Sequence, residues 1–388
     1  MRLHYAAASK RFASGTSVVA DFDASLSQID VSSSDRMSIS VLWIEARRDM
    51  RVIEVRDRCG IESLSIVERP DPLPGPGQIC VGFRAFSLNY RDLLVVRGVG
   101  RWRPPLPRIP VSDGVGVVAA TGPGVSRVKM GDRVAPIFYP NWLDGEVSDD
   151  KLASPLGGAV ADGVLAEKAV FDESSVVQVP EHLSDEEAAT LPCAGVTAWN
   201  AVTAASRIAP GDTVVILGTG GVSIFALQFA RMLGAFVIVT SSSDEKLARA
   251  KQLGADAGIN YRTTPAWPNA VMELSGGLGA DHVIDTVGGL REAIAAIRVG
   301  GSVAFVGLLA GMSAEVDLVA LMGKSARVRA IDVGSRAMFA AMNRAILCHG
   351  MRPIVDRVFG FSDAANALRY LSEAKHFGKV CLRIDATS

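Results

Sequence analysis

The chain has 388 residues, 49% of them hydrophobic and 21% charged, an ordinary globular composition with enough length for two domains. Its 40 basic and 41 acidic residues leave a net charge of -1, which gives no electrostatic case for nucleic acid or an anionic membrane as a partner. The five cysteines, Cys59, Cys80, Cys193, Cys348 and Cys381, are widely spaced with no CxxC pair, as reduced thiols in a cytoplasmic protein would be.

Residues 1–49 differ from the rest. The first twenty carry Arg2, Lys10 and Arg11, no acid, and many Ala and Ser. That composition suits either a targeting segment for organellar import or a disordered extension; translation from Met50 would remove it altogether. From Met50 the text becomes strand-like. "RVIEV", "LSIVE" and "QICVGFRAF" are short, apolar and β-branched, and the Pro/Gly-rich "RPDPLPGPGQ" excludes a helix between the last two. "DGVGVVAATGPGVSRVKMGDRVAPIF" continues with strands and glycine corners, predicting a small β-barrel-like domain.

After about Val177 strands and helices alternate. "TVVIL" (213–217), "FVIVT" (236–240), "HVIDTV" (282–287) and "SVAFVGL" (302–308) read as buried parallel strands. Between the first two, Val222, Phe225, Phe229 and Met232 share one helical face; Leu247, Ala250 and Leu253 share another, which Gly254 can end. This alternation predicts an α/β fold with a doubly wound parallel sheet. The uncharged runs 188–206 and 213–230 are broken by Pro192, Gly195 and a glycine turn, so they read as elements of a water-soluble protein rather than membrane spans. Toward the C-terminus come two helical patterns, "AMFAAMNRAIL" and "DAANALRYLSEAK", and a strand "KVCLRI" that returns to the first domain.

The turn Gly218-Thr219-Gly220-Gly221-Val222-Ser223 follows a strand and opens a helix. Gly218 permits the sharp bend. Gly220 lets the backbone approach a pyrophosphate seated on the free N–H groups of Gly221, Val222 and the rest of the helix N-terminus. Ser223 is small enough to pack at the third position of GxGxxG. In this strand–turn–helix–strand context the motif signals a dinucleotide. The second strand normally ends on an acid that binds the ribose of NAD; here it ends on Thr240-Ser241-Ser242-Ser243. With no carboxylate to repel a 2′-phosphate, with Ser241 able to donate and Lys246 one turn on, NADP(H) is favoured over NAD(H). Ser243 can equally cap the helix beginning at Asp244.

The chain resembles the medium-chain dehydrogenase/reductase superfamily, in its zinc-free quinone-oxidoreductase-like branch. The resemblance runs from Met50 to Asp385 and is carried together by "LNYRDLLVVRG", "SDGVGVVAATGPGVSRVKMGDRV", "LPCAGVTAWNAV", "GTGGVS", "KQLGADAGINYRT" and "FGKVCLRI". It implies a GroES-like β-barrel catalytic domain (50–177 and 336–388) and a Rossmann NADP-binding domain (178–335). It further implies that Thr197 touches the nicotinamide ribose, that Lys246 and Tyr261 bind the 2′-phosphate, and that Gly307 and Leu308 pass the nicotinamide. The segment "ARVRAIDV" (326–333) resembles the strand through which relatives join edge to edge, implying a homodimer; an ordinary edge strand is the alternative. Zinc-dependent members carry ligands at the positions of Asn89, Ser112-Asp113 and Cys193. Only Cys193 remains, and residues 136–163 lack the cysteines of a structural zinc lobe, so no metal is expected.

Without a metal, the chemistry points to a substrate that spreads the charge left by hydride addition, a quinone or an α,β-unsaturated carbonyl. Tyr90 is the first candidate for a hydrogen-bond or proton donor, or else a pocket wall; Asn89 is the second. Asp92 and Arg97 fix the loop or make an internal ion pair, and one extra residue precedes Arg97 relative to the NxxDxxxR of quinone reductases. Arg101, Trp102, Arg103 and Arg108 read as a solvated loop, with a rim for an anionic substrate tail as the alternative, and the five histidines show no ligand spacing. The expected function is NADPH-dependent reduction of a small carbonyl or quinone without zinc. A zinc-independent alcohol or aldehyde oxidoreductase and a non-catalytic NADPH-binding protein are the alternatives.

Overall fold

A computed structural model describes residues 49–384; the expectations placed on the N-terminal extension lie outside them. The strand-like text after Met50 forms an antiparallel pair, Asp49–Val55 with Leu64–Pro70, in which Val52 lies opposite Val67. The long strand Gln78–Leu88 organises a second sheet. Asp113–Thr121, Lys168–Asp172 and the C-terminal strand Lys379–Arg383 all pair with it antiparallel. Close backbone packing here excludes a side chain at Gly116, where a Cβ would stand 2.2 Å from the Gly82 carbonyl oxygen. The strand Val176–Gln178 closes this sheet on Arg133–Pro136, and the helix Asp185–Ala189 packs across Gln78–Leu88 and Asp113–Thr121. That helix starts on a capping box: Ser184 Oγ accepts from Glu187 N–H at 3.2 Å while Glu187 Oε2 accepts from Ser184 N–H at 2.8 Å.

The alternating half of the chain forms a six-stranded parallel sheet: Thr213–Leu217, Phe236–Ser241, Ala257–Asn260, Ala280–Asp285, Ile297–Phe305 and Arg327–Ala330. In space they run third, second, first, fourth, fifth, sixth, the dinucleotide-binding order with its switch point between the first and fourth strands. Helices cover both faces, so Val214, Val215 and Ile216 are all fully buried, which is why these strands read as unbroken apolar runs. On the helix Gly221–Met232, Phe225 and Phe229 are buried and Val222 and Met232 half-buried against the same core. Phe229 meets Trp199 edge-on at 5.3 Å. The run read as broken by Pro192 and Gly195 is nearly one helix, with π-type turns Leu191–Gly195 and Ala201–Ala205 flanking Val196–Asn200. Pro192 fits because it stands in the first turn, where its missing N–H is not needed.

The edge strand Arg327–Ala330 is exposed along its whole length, and the neighbouring Leu318, Val319 and Met322 are exposed as well. Among the described residues no helix is long and apolar enough to cross a membrane.

Candidate active site

Every residue singled out in the sequence for catalysis or cofactor contact lines one crevice of 1740 Å³, at the carboxyl ends of the parallel strands and against the first sheet. The glycine turn lies at its floor. Gly218 adopts φ +82°, and its N–H donates to the Thr240 carbonyl at 2.9 Å, tying the first two strands together. A Cβ at Gly220 would meet nothing within 4 Å, so this glycine faces open space. A Cβ at Gly221 would stand 2.5 Å from Lys379 Cδ. Ser223 is buried, and its hydroxyl donates to the Leu217 carbonyl at 3.0 Å and lies 2.8 Å from Thr286 Oγ1. These groups could hold a pyrophosphate on the helix N-terminus.

At the second strand's end, Ser243 caps the helix Asp244–Gln252: its Oγ accepts the Lys246 N–H at 3.3 Å. Ser241 is buried and accepts from Ser243 N–H at 3.3 Å. The Asp244 carboxylate is occupied by Asn260 Nδ2 at 2.8 Å. Lys246 is not a free cation: its Nζ donates to the carbonyls of Ala374 and His376, at 2.9 Å each. Burial pulls its pKa down. The adjacent His376 is held neutral, its pKa pushed down to about 4 by burial and then by the charges of Lys246 and Lys379. Tyr261 is 44% exposed on the same rim.

At the other end, Gly307 allows two loops to touch. A Cβ there would stand 1.6 Å from the Thr286 carbonyl oxygen. Asp285 shapes the first loop by accepting from Val287 N–H (3.0 Å) and Gly288 N–H (2.8 Å). Thr197 is buried in the helix facing this region, and Asn200 donates to the Val333 carbonyl at 2.7 Å, steadying a valine at φ +58°.

Between these ends lies a polar cluster that joins Asn89, Asp113 and Cys193, singled out in the sequence, to Lys379, which was not. Lys379 is 3% exposed, yet its Nζ donates to Asn89 Oδ1 at 2.5 Å and to the Leu88 carbonyl at 2.7 Å. Asp113 is fully buried beside it, accepting from Ser112 Oγ at 2.7 Å and from Cys193 N–H at 3.2 Å. Burial raises the Asp113 pKa to about 6, opposed first by the Lys379 charge and then by the Asn89 amide. Burial and then Asp113 push the Cys193 thiol up. Asp92 fixes the neighbouring turn by accepting from Asn89 N–H at 2.7 Å. Arg91 donates to the Leu156 carbonyl at 2.8 Å and stacks on Phe138. Tyr90 is 42% exposed on the wall, its hydroxyl without a partner among the described residues. Tyr139, which sequence reasoning passed over, is buried with its hydroxyl donating to Asp332 at 2.7 Å; burial and then Asp332 push its pKa far up.

A catalytic zinc needs three protein ligands, with any thiol ionised. Here the Asp113 carboxyl is engaged by a hydroxyl and a main-chain N–H, and an ammonium stands against the asparagine. Among the described residues no three His, Cys, Asp or Glu side chains converge to hold a metal. The donor set does not fit zinc.

A barrel-like sheet, a doubly wound sheet and a crevice floored by a glycine turn give the architecture of an α/β oxidoreductase. Residues 75–181 match the alcohol dehydrogenase GroES-like domain family, and 221–347 match the zinc-binding dehydrogenase family. A zinc-type alcohol dehydrogenase-like protein of Schizosaccharomyces pombe is 42% identical over 80% of this chain and 92% of its own length. The crystal structure of a putative alcohol dehydrogenase from Sinorhizobium meliloti superposes with a TM-score of 0.82 at 39% identity, covering 87% of this chain and 99% of that one. The mycobacterial protein Rv1454c, complexed with NADPH, superposes at 0.72 and 28% identity, covering 86% and 99%. The chain belongs to the medium-chain dehydrogenase/reductase superfamily.

Proposed function

We propose that this oxidoreductase reduces quinones or α,β-unsaturated carbonyls with NADPH and without zinc. The observation that carries the reading is the buried cluster of Lys379, Asn89 and Asp113, which puts an ammonium and an amide where a metal-dependent member needs ligands. Bound in the crevice, the dinucleotide supplies a hydride. The chain orients it through the turn Gly218–Val222 and through Thr197, Gly307 and Leu308, and the crevice wall from Asn89 to Tyr90 receives the acceptor. A conjugated acceptor spreads the developing charge to an oxygen, so neutral donors and one nearby cation suffice. Support for NADPH comes from the strand that ends on serines and from Asp244, whose carboxylate is engaged by Asn260. With a 2′-phosphate present, Lys246 would exchange one of its carbonyl partners for it.

The test is a panel of quinones, enones and enals followed by nicotinamide absorbance. Oxidation of NADPH is expected with at least one of them, faster than with NADH, and unchanged after prolonged treatment with a chelator. Activity lost to the chelator and restored by zinc would reject the reading.

We also propose that two copies pair through the edge strand Arg327–Ala330. Its ladder groups are unpaired on one side, and Val328, Leu318, Val319 and Met322 offer apolar surface beside it. Light scattering should give twice the chain mass, and Val328→Pro should give the monomer. A monomeric parent chain would dismiss this assembly.

A further inference from the structure

The helix Tyr90–Val96 sets Arg91 in the crevice wall beside Tyr90. One end of its guanidinium is anchored. Nη1 donates to the Leu156 carbonyl at 2.8 Å and to the Gly157 carbonyl at 3.3 Å, and lies 3.5 Å from Asp92 Oδ1. Its central carbon stands 5.0 Å from the centre of the Phe138 ring. Phe138 is tied to the same loop, its carbonyl accepting from Leu156 N–H at 3.0 Å. The other edge is free. Nη2 and Nε have no partner among the described residues, and the side chain keeps 15% exposure. That edge borders the crevice, because a Cβ on Gly158, which lines it, would stand 3.3 Å from Nη2.

A guanidinium keeps its charge at any working pH, and its paired N–H groups match the two oxygens of a carboxylate. Asp92 approaches from the anchored end and is fully buried, so it leaves the crevice side of the fork open. The charge is felt within the site. Burial raises the pKa of Tyr139 and of Cys193, and Arg91 works against both shifts. The cations of the following loop are placed differently. Arg101 is exposed and rests on Trp102 at 4.7 Å, and Arg108 donates to Asp162 at 3.1 Å. Around Arg91 the wall is apolar, with Leu94, Phe138 and Pro155. One fixed cation in an apolar wall suits one carboxylate on a short carbon frame.

Resting on the function proposed above, we propose that Arg91 is a substrate-binding residue and that the acceptor is a conjugated oxo acid, its carboxylate held on the free edge of the guanidinium. The anchored end keeps the fork from following the ligand, so the carboxylate fixes how the conjugated system lies in the crevice.

The test sets an acid against its amide, which differs in charge and hardly in size. With NADPH as donor, kcat/KM for trans-4-oxo-2-pentenoate should exceed that for trans-4-oxo-2-pentenamide. The second readout needs no turnover: with the oxidised nucleotide present, calorimetry should show 4-oxopentanoate binding more tightly than 4-oxopentanamide. In Arg91→Met each preference should fall about 10- to 100-fold, the order expected for hydrogen bonds to a charged group. Arg91→Lys keeps a charge and a donor for the Leu156 carbonyl but loses the fork, and should lose part of the preference. If Arg91→Met does not fold, Arg91→Lys carries the test. A parent chain that binds acid and amide alike overturns the proposal. So does a preference that the folded variants leave unchanged while acid and amide weaken together, which would make Arg91 a clamp on the loop. Reduction of quinones and neutral enones with no preference for the acid keeps the proposed reaction and rejects this site. Preferential binding of 4-oxopentanoate by a chain that reduces nothing keeps the site and removes the reaction.

Discussion

Gly220→Asp is expected to fold as well as the parent chain and to lose dinucleotide binding. Gly220 precedes the helix Gly221–Met232 with φ -77° and ψ -174°, an extended conformation open to any residue. A new Cβ meets nothing within 4 Å, so there is no steric cost. Aspartate is at least as good as glycine in this capping position, and its charge suits a helix N-terminus. The same carboxylate would occupy the place of a diphosphate and repel it. The dissociation constant should rise at least about 100-fold, or about 2.7 kcal/mol, while the thermal midpoint holds or rises slightly. Calorimetric titration and a thermal melt decide it. Undiminished nucleotide affinity would mean that the glycine turn is only a turn.

Gly307→Ala should do the reverse, damaging the fold first. The added Cβ would stand 1.6 Å from the Thr286 carbonyl oxygen and 2.0 Å from its carbon, both backbone atoms. Nothing flexible can yield, so the loops after the fourth and fifth parallel strands must separate. The damage travels, because Thr286 Oγ1 donates to the Leu217 carbonyl at 2.6 Å and contacts Ser223 at the start of the glycine-turn helix. A loss of at least about 2 kcal/mol is expected, toward the upper part of the range for overpacking. Gly323→Ala is the control: it ends the helix Leu318–Gly323, and its Cβ would meet nothing within 4 Å. Denaturant midpoints of the two variants should therefore diverge, and a Gly307→Ala midpoint equal to that of Gly323→Ala would refute the argument.

The contrast between these two glycines shows what could be read from the letters. Gly220 was legible because its role is local: a strand, a bend and a helix follow one another within the turn. The doubly wound parallel sheet was legible for the same reason, since buried runs alternate with helical faces along the chain, whereas the order of its strands came only from the structure. Gly307 could be placed only by resemblance, because the atom that forbids its side chain belongs to Thr286, in another loop. Lys379 is the sharper case. In "FGKVCLRI" nothing separates a buried lysine from a solvated one. Its burial and its contact with Asn89 appear only when Val380 pairs with Leu88 and brings the two ends of the chain together. Lys246, expected at a 2′-phosphate, lines the crevice. Its ammonium, however, is held by carbonyls of Ala374 and His376, from a segment more than a hundred residues away that no spacing rule relates to it.

Gly378 carries a mechanical consequence. It hydrogen-bonds to Thr219 and forms a parallel bridge with Gly220, so main chain joins the two sheets at the crevice floor. Any rigid rotation that opens or shuts the cleft without tearing that stitch must take it as its axis. The halves would swing as covers about a spine, with the floor nearly still and the rim at Tyr90 travelling farther, while the bonds of Lys246 to Ala374 and His376 restrain the rim beside Tyr261.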